Sequence, residues 1–290
     1  MSAMSFTAKR LLKQLKREDY KQAVSHSFLH PNQKATLFTD KSDHYKIYQM
    51  NFGQLVTISP TTSPDNQILY FHGGAFTVPM NTDQLEMITK IAVEANSRLQ
   101  IVDFPLLPNH SATEMLESAQ EALDRVYSPD LPIFIVADSA GAAIAMQLLI
   151  NNQPKIAGTS LISPWLDMSL TDPELAEREE NDVMLSLSVL KQIGSQFKAG
   201  LTKGNWSDVF APENLAIGDI QIFYGENELL VPINEKFVKT LRQTPGTSVQ
   251  VTTFRDGFHD YTLWFKLPET KKTFRGIVAF IRSRVRRKTV

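Results

Sequence analysis

The chain has 290 residues, of which 30 are basic and 31 acidic, and its formal net charge is −1. This balance argues against nucleic acid as a partner, because binding to phosphates requires a concentrated positive surface. The sequence contains no cysteine, which excludes disulfides and thiolate metal sites. Its six histidines lack the close spacing of a zinc hydrolase, so we expect no metal site.

No stretch of the sequence approaches the roughly 20 consecutive apolar residues that a membrane-spanning helix needs. The N-terminal residues also lack an apolar core of signal-peptide length. We therefore expect no membrane span and a cytoplasmic location. The sequence leaves the oligomeric state open, with a homodimer as one option.

The predicted elements begin with an amphipathic helical region over residues 1 to about 40, in which Leu11, Leu12 and Leu15 stand among lysines and arginines. Two short alternating segments on either side of Gly53 predict a β-hairpin. Six short apolar runs then follow, each with the length and composition of a buried strand: residues 67–71, 99–104, 132–137, 157–163, 220–225 and 249–254.

Helical patterns separate several of these runs. One of them places Leu85, Ile88 and Ile91 on one face, and another opens with a capping box from Ser111 to Glu114. The alternation of helices with strands that are apolar throughout is typical of a parallel sheet covered on both faces. The sequence therefore predicts a single α/β domain over residues 1–290, with a doubly wound, mainly parallel sheet.

One long segment, residues 170–212, interrupts this alternation. It combines a charged run with a helical pattern around Leu187, Leu190 and Ile193. A connection of this length between two strands is more than a linker and is usually a functional lid. We predict that residues 170–212 and residues 1–40 form a helical cap.

The turn ADSAG, residues 137–141, joins an apolar strand to an alanine-rich helix. It differs at one position from G-x-S-x-G, the strand-to-helix turn that presents a nucleophilic serine. The alternative is that Ser139 is an ordinary helix N-cap. The nucleophile turn needs small residues on both sides, and Gly141 meets this need, whereas Ala137 adds a methyl group.

A second motif, His-Gly-Gly at residues 72–74, follows another apolar strand. Acyl transfer needs N–H donors, because its tetrahedral intermediate carries a negative oxygen, and paired glycines let the backbone turn toward it. The N–H groups of Gly73, Gly74 and Ala140 are therefore candidates for an oxyanion hole. The alternative is a tight loop in which His72 is structural.

These motifs carry a family resemblance. The stretches YFHGGAF and ADSAG resemble the α/β-hydrolase fold esterases of the hormone-sensitive-lipase-like group, and the likeness extends over about residues 60–270. DFPLLPNH and LISPWLDMS are similar to two further stretches of that family. The family has glycine where this chain has Ala75, Ala137 and Ala142, and the other departures are Phe104 and Asn109. The resemblance implies a cap that restricts substrates to short and medium acyl chains.

A serine hydroxyl is a poor nucleophile unless a histidine acts as base and a carboxylate orients that histidine. In this fold the three residues follow the order serine, acid, histidine. His259 is the only histidine after Ser139, which makes it the candidate base. Glu226 and Glu228 both follow the strand at 220–225, and Glu228 is preferred because it matches the family's G-x-x-D/E-x-L pattern.

The sequence thus predicts a serine carboxylic-ester hydrolase that forms an acyl-enzyme, needs no cofactor and has a small-molecule ester as its partner. Two alternatives remain open. The same residues can cleave an amide, such as an aryl formamide, or transfer the acyl group to another alcohol. The fold also occurs in non-catalytic small-molecule receptors, which lack the histidine.

Overall fold

A computed structural model describes residues 2–33, 37–38 and 44–288. Its strands are Ser2–Ala3 (β1), Lys46–Gln49 (β2), Gln54–Ile58 (β3), Asn66–Phe71 (β4), Ser97–Asp103 (β5), Ile133–Asp138 (β6), Ile156–Ile162 (β7), Gly218–Gly225 (β8) and Thr247–Arg255 (β9). Its α-helices are Phe6–Arg17 (α1), Tyr20–Leu29 (α2), Thr82–Glu94 (α3), Ala112–Val126 (α4), Gly141–Asn151 (α5), Glu174–Arg178 (α6), Leu187–Ala199 (α7), Val231–Gln243 (α8) and Pro268–Lys288 (α9).

The strands of the described residues form one sheet in the order β1-β9-β8-β7-β6-β4-β5-β3-β2. In this spatial order, each of the first seven strands, β1 through β5, is parallel to its neighbour among them. Strand β3 is antiparallel to both of its neighbours, β5 and β2. The six apolar runs of the sequence are β4 to β9, and the predicted hairpin is β2 and β3. The prediction of a doubly wound, mainly parallel α/β sheet is confirmed.

Two hydrophobic clusters cover the two faces of the sheet. One includes buried side chains of α4, α5, α7 and α8, and the other includes those of α3 and α9. The central strands β4 and β6 are buried along their whole length, which explains why their sequences are apolar throughout rather than alternating. Parallel strands bring their carboxyl ends to one edge, and the predicted site residues all follow such ends.

The predicted helical region at the start of the chain contains α1 and α2, but its first residues are different. Ser2 and Ala3 form β1, which pairs in parallel with Phe254 and Arg255 at the end of β9. A strand of two residues has no periodicity, so it could not be predicted from the sequence. Residues 34–36 and 39–43, part of which falls in the predicted cap, lie outside the described residues.

The segment 170–212 contains α6 and α7, as the pattern around Leu190 predicts. Helix α2 packs against α7, and Lys21 donates a hydrogen bond to the carbonyl oxygen of Glu179. The Tyr20 ring lies 6.1 Å from the Trp264 ring, measured between centroids. Helix α2 is therefore held beside the inserted segment, and α1 packs against α2. None of the helices in the described ranges has the length and apolar character needed to span a bilayer.

Candidate active site

Ser139 lies on the turn between β6 and α5 and has a left-handed backbone, with φ 47°. The N-cap residue of α5 is Ala140, and no side chain caps this helix. Ser139 donates its backbone N–H to Ile162 O at 2.9 Å, which fixes the turn against the end of β7. The strained backbone and the missing cap favour the nucleophile interpretation of Ser139 over the N-cap interpretation.

The serine turn tolerates alanine before Ser139, at position 137, and requires glycine after it, at position 141. Ala137 pairs regularly with Phe71 of β4 and Leu161 of β7, so its methyl group causes no distortion of the sheet. A Cβ on Gly141 would instead lie 2.3 Å from Phe71 O, where it would overlap the backbone. The close approach of α5 to the end of β4 therefore makes the second small residue, Gly141, the essential one.

Three of the predicted residues form a continuous chain of hydrogen bonds. Ser139 Oγ lies 2.9 Å from His259 Nε2, and His259 Nδ1 lies 3.2 Å from Glu228 Oε2. Glu228 is 0 % exposed, His259 1 % and Ser139 7 %. Glu226 Oε1 instead accepts a hydrogen bond from Thr253, so the structure brings Glu228 and not Glu226 to the histidine. This is the geometry of a nucleophile, a base and an orienting carboxylate.

The second oxygen of Glu228 is also fixed. Glu228 Oε1 accepts hydrogen bonds from Ser163 Oγ at 2.8 Å and from Gly225 N at 2.5 Å. The next residue, Leu229, donates its N–H to Asp182 Oδ2 at 2.7 Å. Sequence reasoning missed both Ser163 and Asp182. Ser163 had a usable signal, because it directly follows β7, whereas Asp182 lies in the inserted segment and had none.

The structure corrects one of the predicted oxyanion donors. The N–H of Gly73 is already donated to Asp138 Oδ2 at 2.9 Å, so it is not free for a substrate oxygen. Within the described residues, the N–H groups of Gly74, Ala75 and Ala140 donate to no protein acceptor. Ala75 has φ 52°, and we replace Gly73 with Ala75 in the candidate oxyanion hole.

Asp138 is the residue that holds the loop with the candidate donors. Its buried carboxylate accepts hydrogen bonds from Tyr70 Oη at 2.5 Å, Gln84 Nε2 at 2.8 Å and Gly73 N. Burial raises the pKa of Asp138, and the hydrogen bonds from Tyr70 and Gln84 oppose this. From the sequence we expect Asp138 to support the serine turn without a catalytic role, but its partners on β4 and α3 are far away in the chain and could not be predicted.

His72 supports the same loop from the other side. Its Nδ1 lies 2.6 Å from Gly73 O, and its ring stacks on Phe104 with a centroid distance of 4.4 Å and an interplanar angle of 8°. Phe104 stands where the resembling family has tyrosine, and its ring still provides the stacking surface. The structural role considered for His72 therefore applies to this residue, while the loop after it remains available to a substrate.

A further electrostatic interaction of the site joins His259 to Asp260, a residue with no role in the sequence-based prediction. Asp260 Oδ2 lies 3.6 Å from His259 Nε2. Burial lowers the pKa of His259, but the negative charges of Asp260 and Glu228 outweigh this effect and raise it to about 9. Burial also raises the pKa of the Asp260 carboxyl well above its usual range. The two neighbouring groups therefore compete for a proton.

The fold and the matched residues now identify the family. The alpha/beta hydrolase fold family matches residues 68–263, which include the serine turn and the histidine. The chain belongs to this family. An esterase of Acinetobacter venetianus is 25% identical over 78% of this chain and 78% of its own length. The esterase LipU of Mycobacterium tuberculosis is 22% identical over 79% of this chain and 82% of its own length.

The fold itself matches solved structures over nearly the whole chain. A hormone-sensitive lipase from a metagenome library has a TM-score of 0.80 at 19% identity, and the match covers 98% of this chain and 100% of the other. An esterase of the bacterial hormone-sensitive lipase family has a TM-score of 0.75 at 18% identity, with 98% and 99% covered. These matches confirm the resemblance found in the sequence.

Proposed function

We propose that the protein is a serine carboxylic-ester hydrolase that acts on short- to medium-chain acyl esters through an acyl-enzyme. The observation that carries the proposal is the chain of contacts from Ser139 Oγ through the His259 ring to Glu228. The relatives named as esterases, in Acinetobacter venetianus and Mycobacterium tuberculosis, support the same reaction class. A small ester is the substrate, and the residues of this chain supply every group of the reaction.

In the first half of the reaction, Ser139 Oγ attacks the ester carbonyl carbon while His259 Nε2 takes the hydroxyl proton. Glu228 accepts a hydrogen bond from Nδ1 and stabilises the imidazolium that forms. The carbonyl oxygen becomes an oxyanion and receives hydrogen bonds from the N–H groups of Gly74, Ala75 and Ala140. His259 then gives its proton to the alcohol oxygen, the C–O bond breaks, and the acyl group stays on the serine.

In the second half, water takes the place of the alcohol. His259 Nε2 removes a proton from the water, whose oxygen attacks the acyl carbon, and the same N–H groups stabilise the second oxyanion. The proton returns to Ser139 Oγ as the acid leaves. Each oxyanion donor contributes roughly 3 kcal/mol in enzymes of this type, so the position of the loop after His72 decides much of the rate.

Bulky aromatic side chains beside the nucleophile support a preference for short acyl chains. Phe76 follows the candidate oxyanion donors, and its ring lies 5.4 Å from the Trp165 ring and 4.3 Å from the Phe197 ring, measured between centroids. Trp165 donates its backbone N–H to Ser139 O at 3.0 Å, which places it next to the nucleophile. Phe197 belongs to α7, so we propose that residues 170–212, with α1 and α2, act as a cap over the substrate.

A chain-length series of p-nitrophenyl esters, from acetate to palmitate, tests the proposal, with Ser139→Ala as the blank. We expect the highest kcat/KM at short and medium chains, a loss of roughly 10⁴-fold or more in Ser139→Ala and His259→Ala, and labelling of Ser139 by an organophosphonate. Full activity in Ser139→Ala would refute it. Faster turnover of N-formylkynurenine than of p-nitrophenyl acetate would favour the amide alternative, and equal rates in wild type and His259→Ala would favour the receptor.

A further inference from the structure

Helix α1 is fixed to the body of the protein at its N-terminal end and along one face. Strand β1, which precedes it, pairs with β9, and its N-cap residue Ser5 donates a hydrogen bond from Oγ to Glu269 Oε2 at 3.1 Å. Ala8 and Leu15 are buried in the hydrophobic cluster that also contains Phe258, next to the predicted catalytic histidine. Because these contacts hold one face of α1 inward, the opposite face points to solvent.

The outward face of α1 carries a line of side chains with helical spacing. Four residues follow one another at intervals of four, three and four positions, which places them on the same side of the helix: Phe6, Arg10, Lys13 and Arg17. All four side chains are exposed, and Phe6 is 84 % exposed. At 1.5 Å per residue the line is about 16 Å long. We call these four residues the α1 stripe.

The charge of α1 contrasts with that of the whole chain. The helix holds five basic residues and no acidic one, whereas the formal net charge of the chain is −1. Among the described residues, Lys9 is the one basic side chain of α1 with an ion pair, which joins it to Asp256 at 3.6 Å. No carboxylate in that part of the chain pairs with the three cations of the α1 stripe, so the helix presents a concentrated positive surface.

The position of Phe6 narrows the kind of partner that fits this surface. Single exposed apolar side chains are common on proteins, but Phe6 is the most exposed large one in the described part of the chain and stands in line with the three cations. A matching partner is negative along the stripe and apolar a few ångströms below its charges. An anionic lipid bilayer has both properties, because its charged headgroups lie directly above its acyl chains.

We propose that the α1 stripe docks the protein on an anionic lipid bilayer. Arg10, Lys13 and Arg17 bind the headgroup phosphates and carboxylates, and the Phe6 ring enters the outer part of the acyl layer. Each cation raises the partition coefficient about fivefold, so three cations and one ring give a reversible attachment that salt weakens. Since α1 packs on the cluster around Phe258, docking holds the turn of the predicted catalytic histidine close to the bilayer surface.

Co-sedimentation with phosphatidylcholine vesicles, prepared with and without phosphatidylserine, tests the proposal. The experiment uses the Ser139→Ala variant of the full chain, because removal of the nucleophile prevents hydrolysis of the vesicle lipids. We expect a partition coefficient at least about tenfold higher on the vesicles that contain phosphatidylserine. High salt should abolish this difference, because it screens charges at a surface.

Two changes within the α1 stripe separate its charges from its ring. Arg10→Glu combined with Lys13→Glu should lower the partition coefficient by about 100-fold or more, since two attractions become repulsions. Phe6→Ser should lower it by about tenfold, because the ring no longer leaves water. The matched control is Lys239→Glu combined with Arg242→Glu, which inverts one lysine and one arginine at the same spacing on the exposed face of α8. This control should keep the affinity for phosphatidylserine vesicles.

Three results would overturn the proposal. The first is equal binding to vesicles with and without phosphatidylserine. The second is an equal loss of binding in the α1 and α8 pairs, which would show that total charge governs the affinity. The third is binding that Phe6→Ser leaves unchanged, which would indicate a purely electrostatic surface for a polyanion.

The C-terminal basic run provides a further control, because it is the other concentration of positive charge in the sequence. Arg286→Glu combined with Arg287→Glu should keep the binding, and a loss here with full binding in the α1 pair would also overturn the proposal. The melting temperature of every variant checks that it is folded. None of these measurements uses ester turnover, so a failure of docking leaves the proposed function intact.

Discussion

Substitution of Gly141 by alanine should reduce catalysis by displacing the loop with the oxyanion donors. The new Cβ would lie 2.3 Å from Phe71 O and 2.6 Å from His72 O, both backbone atoms. It must retreat by at least 0.7 Å, the difference between 2.3 Å and 3.0 Å, to reach the shortest separation that real Cβ atoms adopt. Because Phe71 and His72 lead directly into Gly74 and Ala75, this shift separates the donors from Ser139.

A displacement of about 1 Å between reacting groups costs on the order of 10²-fold in rate, and we expect that loss in kcat for Gly141→Ala. The overlap should also lower the free energy of unfolding by about 1–3 kcal/mol. Both are measurable, with p-nitrophenyl butyrate hydrolysis and with urea denaturation. The result does not depend on which acyl chain the enzyme prefers.

Gly158→Ala is the matched control. A Cβ on Gly158 would also be too close to a neighbour, 2.8 Å from Cε1 of Phe280, but that neighbour is a side chain on the face of the sheet covered by α9. We expect this variant to lose stability and to keep its kcat. An unchanged kcat in folded Gly141→Ala, or an equal loss of kcat in both variants, would refute the argument that the close approach positions the oxyanion donors.

Three further substitutions test the electrostatics of the site. Asp260→Asn removes a charge that raises the pKa of His259, so the acidic limb of the kcat/KM profile should move to lower pH; an unmoved limb would mean that Asp260 is uncharged in the free enzyme. Ser163→Ala removes a hydrogen bond to the buried Glu228 carboxylate, worth about 1.5–3 kcal/mol, and kcat should fall while KM changes little. Asp138→Asn places an amide NH2 among three hydrogen-bond donors, Tyr70, Gln84 and the N–H of Gly73. This variant should therefore have a lower melting temperature and a lower kcat. If only one of the two values falls, Asp138 does not support the loop with the oxyanion donors.

Much of the site could be predicted because its residues stand at positions that the fold makes recognisable. Ser139 and His259 follow apolar strands, and the order of the two residues along the chain matches one mechanism. Gly73 shows the limit of this reasoning. Its place in the motif is correct, but which N–H of the loop points at a substrate depends on Asp138, whose carboxylate takes the N–H of Gly73.

Asp260 illustrates a second limit. In the sequence it is one acidic residue in a polar turn, like Asp256 four positions earlier. Only the packing of the turn buries Asp260 and leaves Asp256 on the surface, where Lys9 pairs with it at 3.6 Å. Burial changes the energy of a charge far more than its neighbours in the chain do, so the sequence cannot separate the two residues.

The sequence by itself determined the α/β class and the parallel strands, because hydrophobic periodicity and turn chemistry act over a few residues. Together with the family resemblance, it also predicted the nucleophile, the base and the acid. The tertiary structure decided which groups surround them. Ser163, Asp138, Asp182 and Asp260 come from separate strand ends and from the inserted segment, and they meet only when the sheet forms. Hydrogen bonds and buried charges act through space, so their partners are fixed by the fold and not by neighbourhood in the chain.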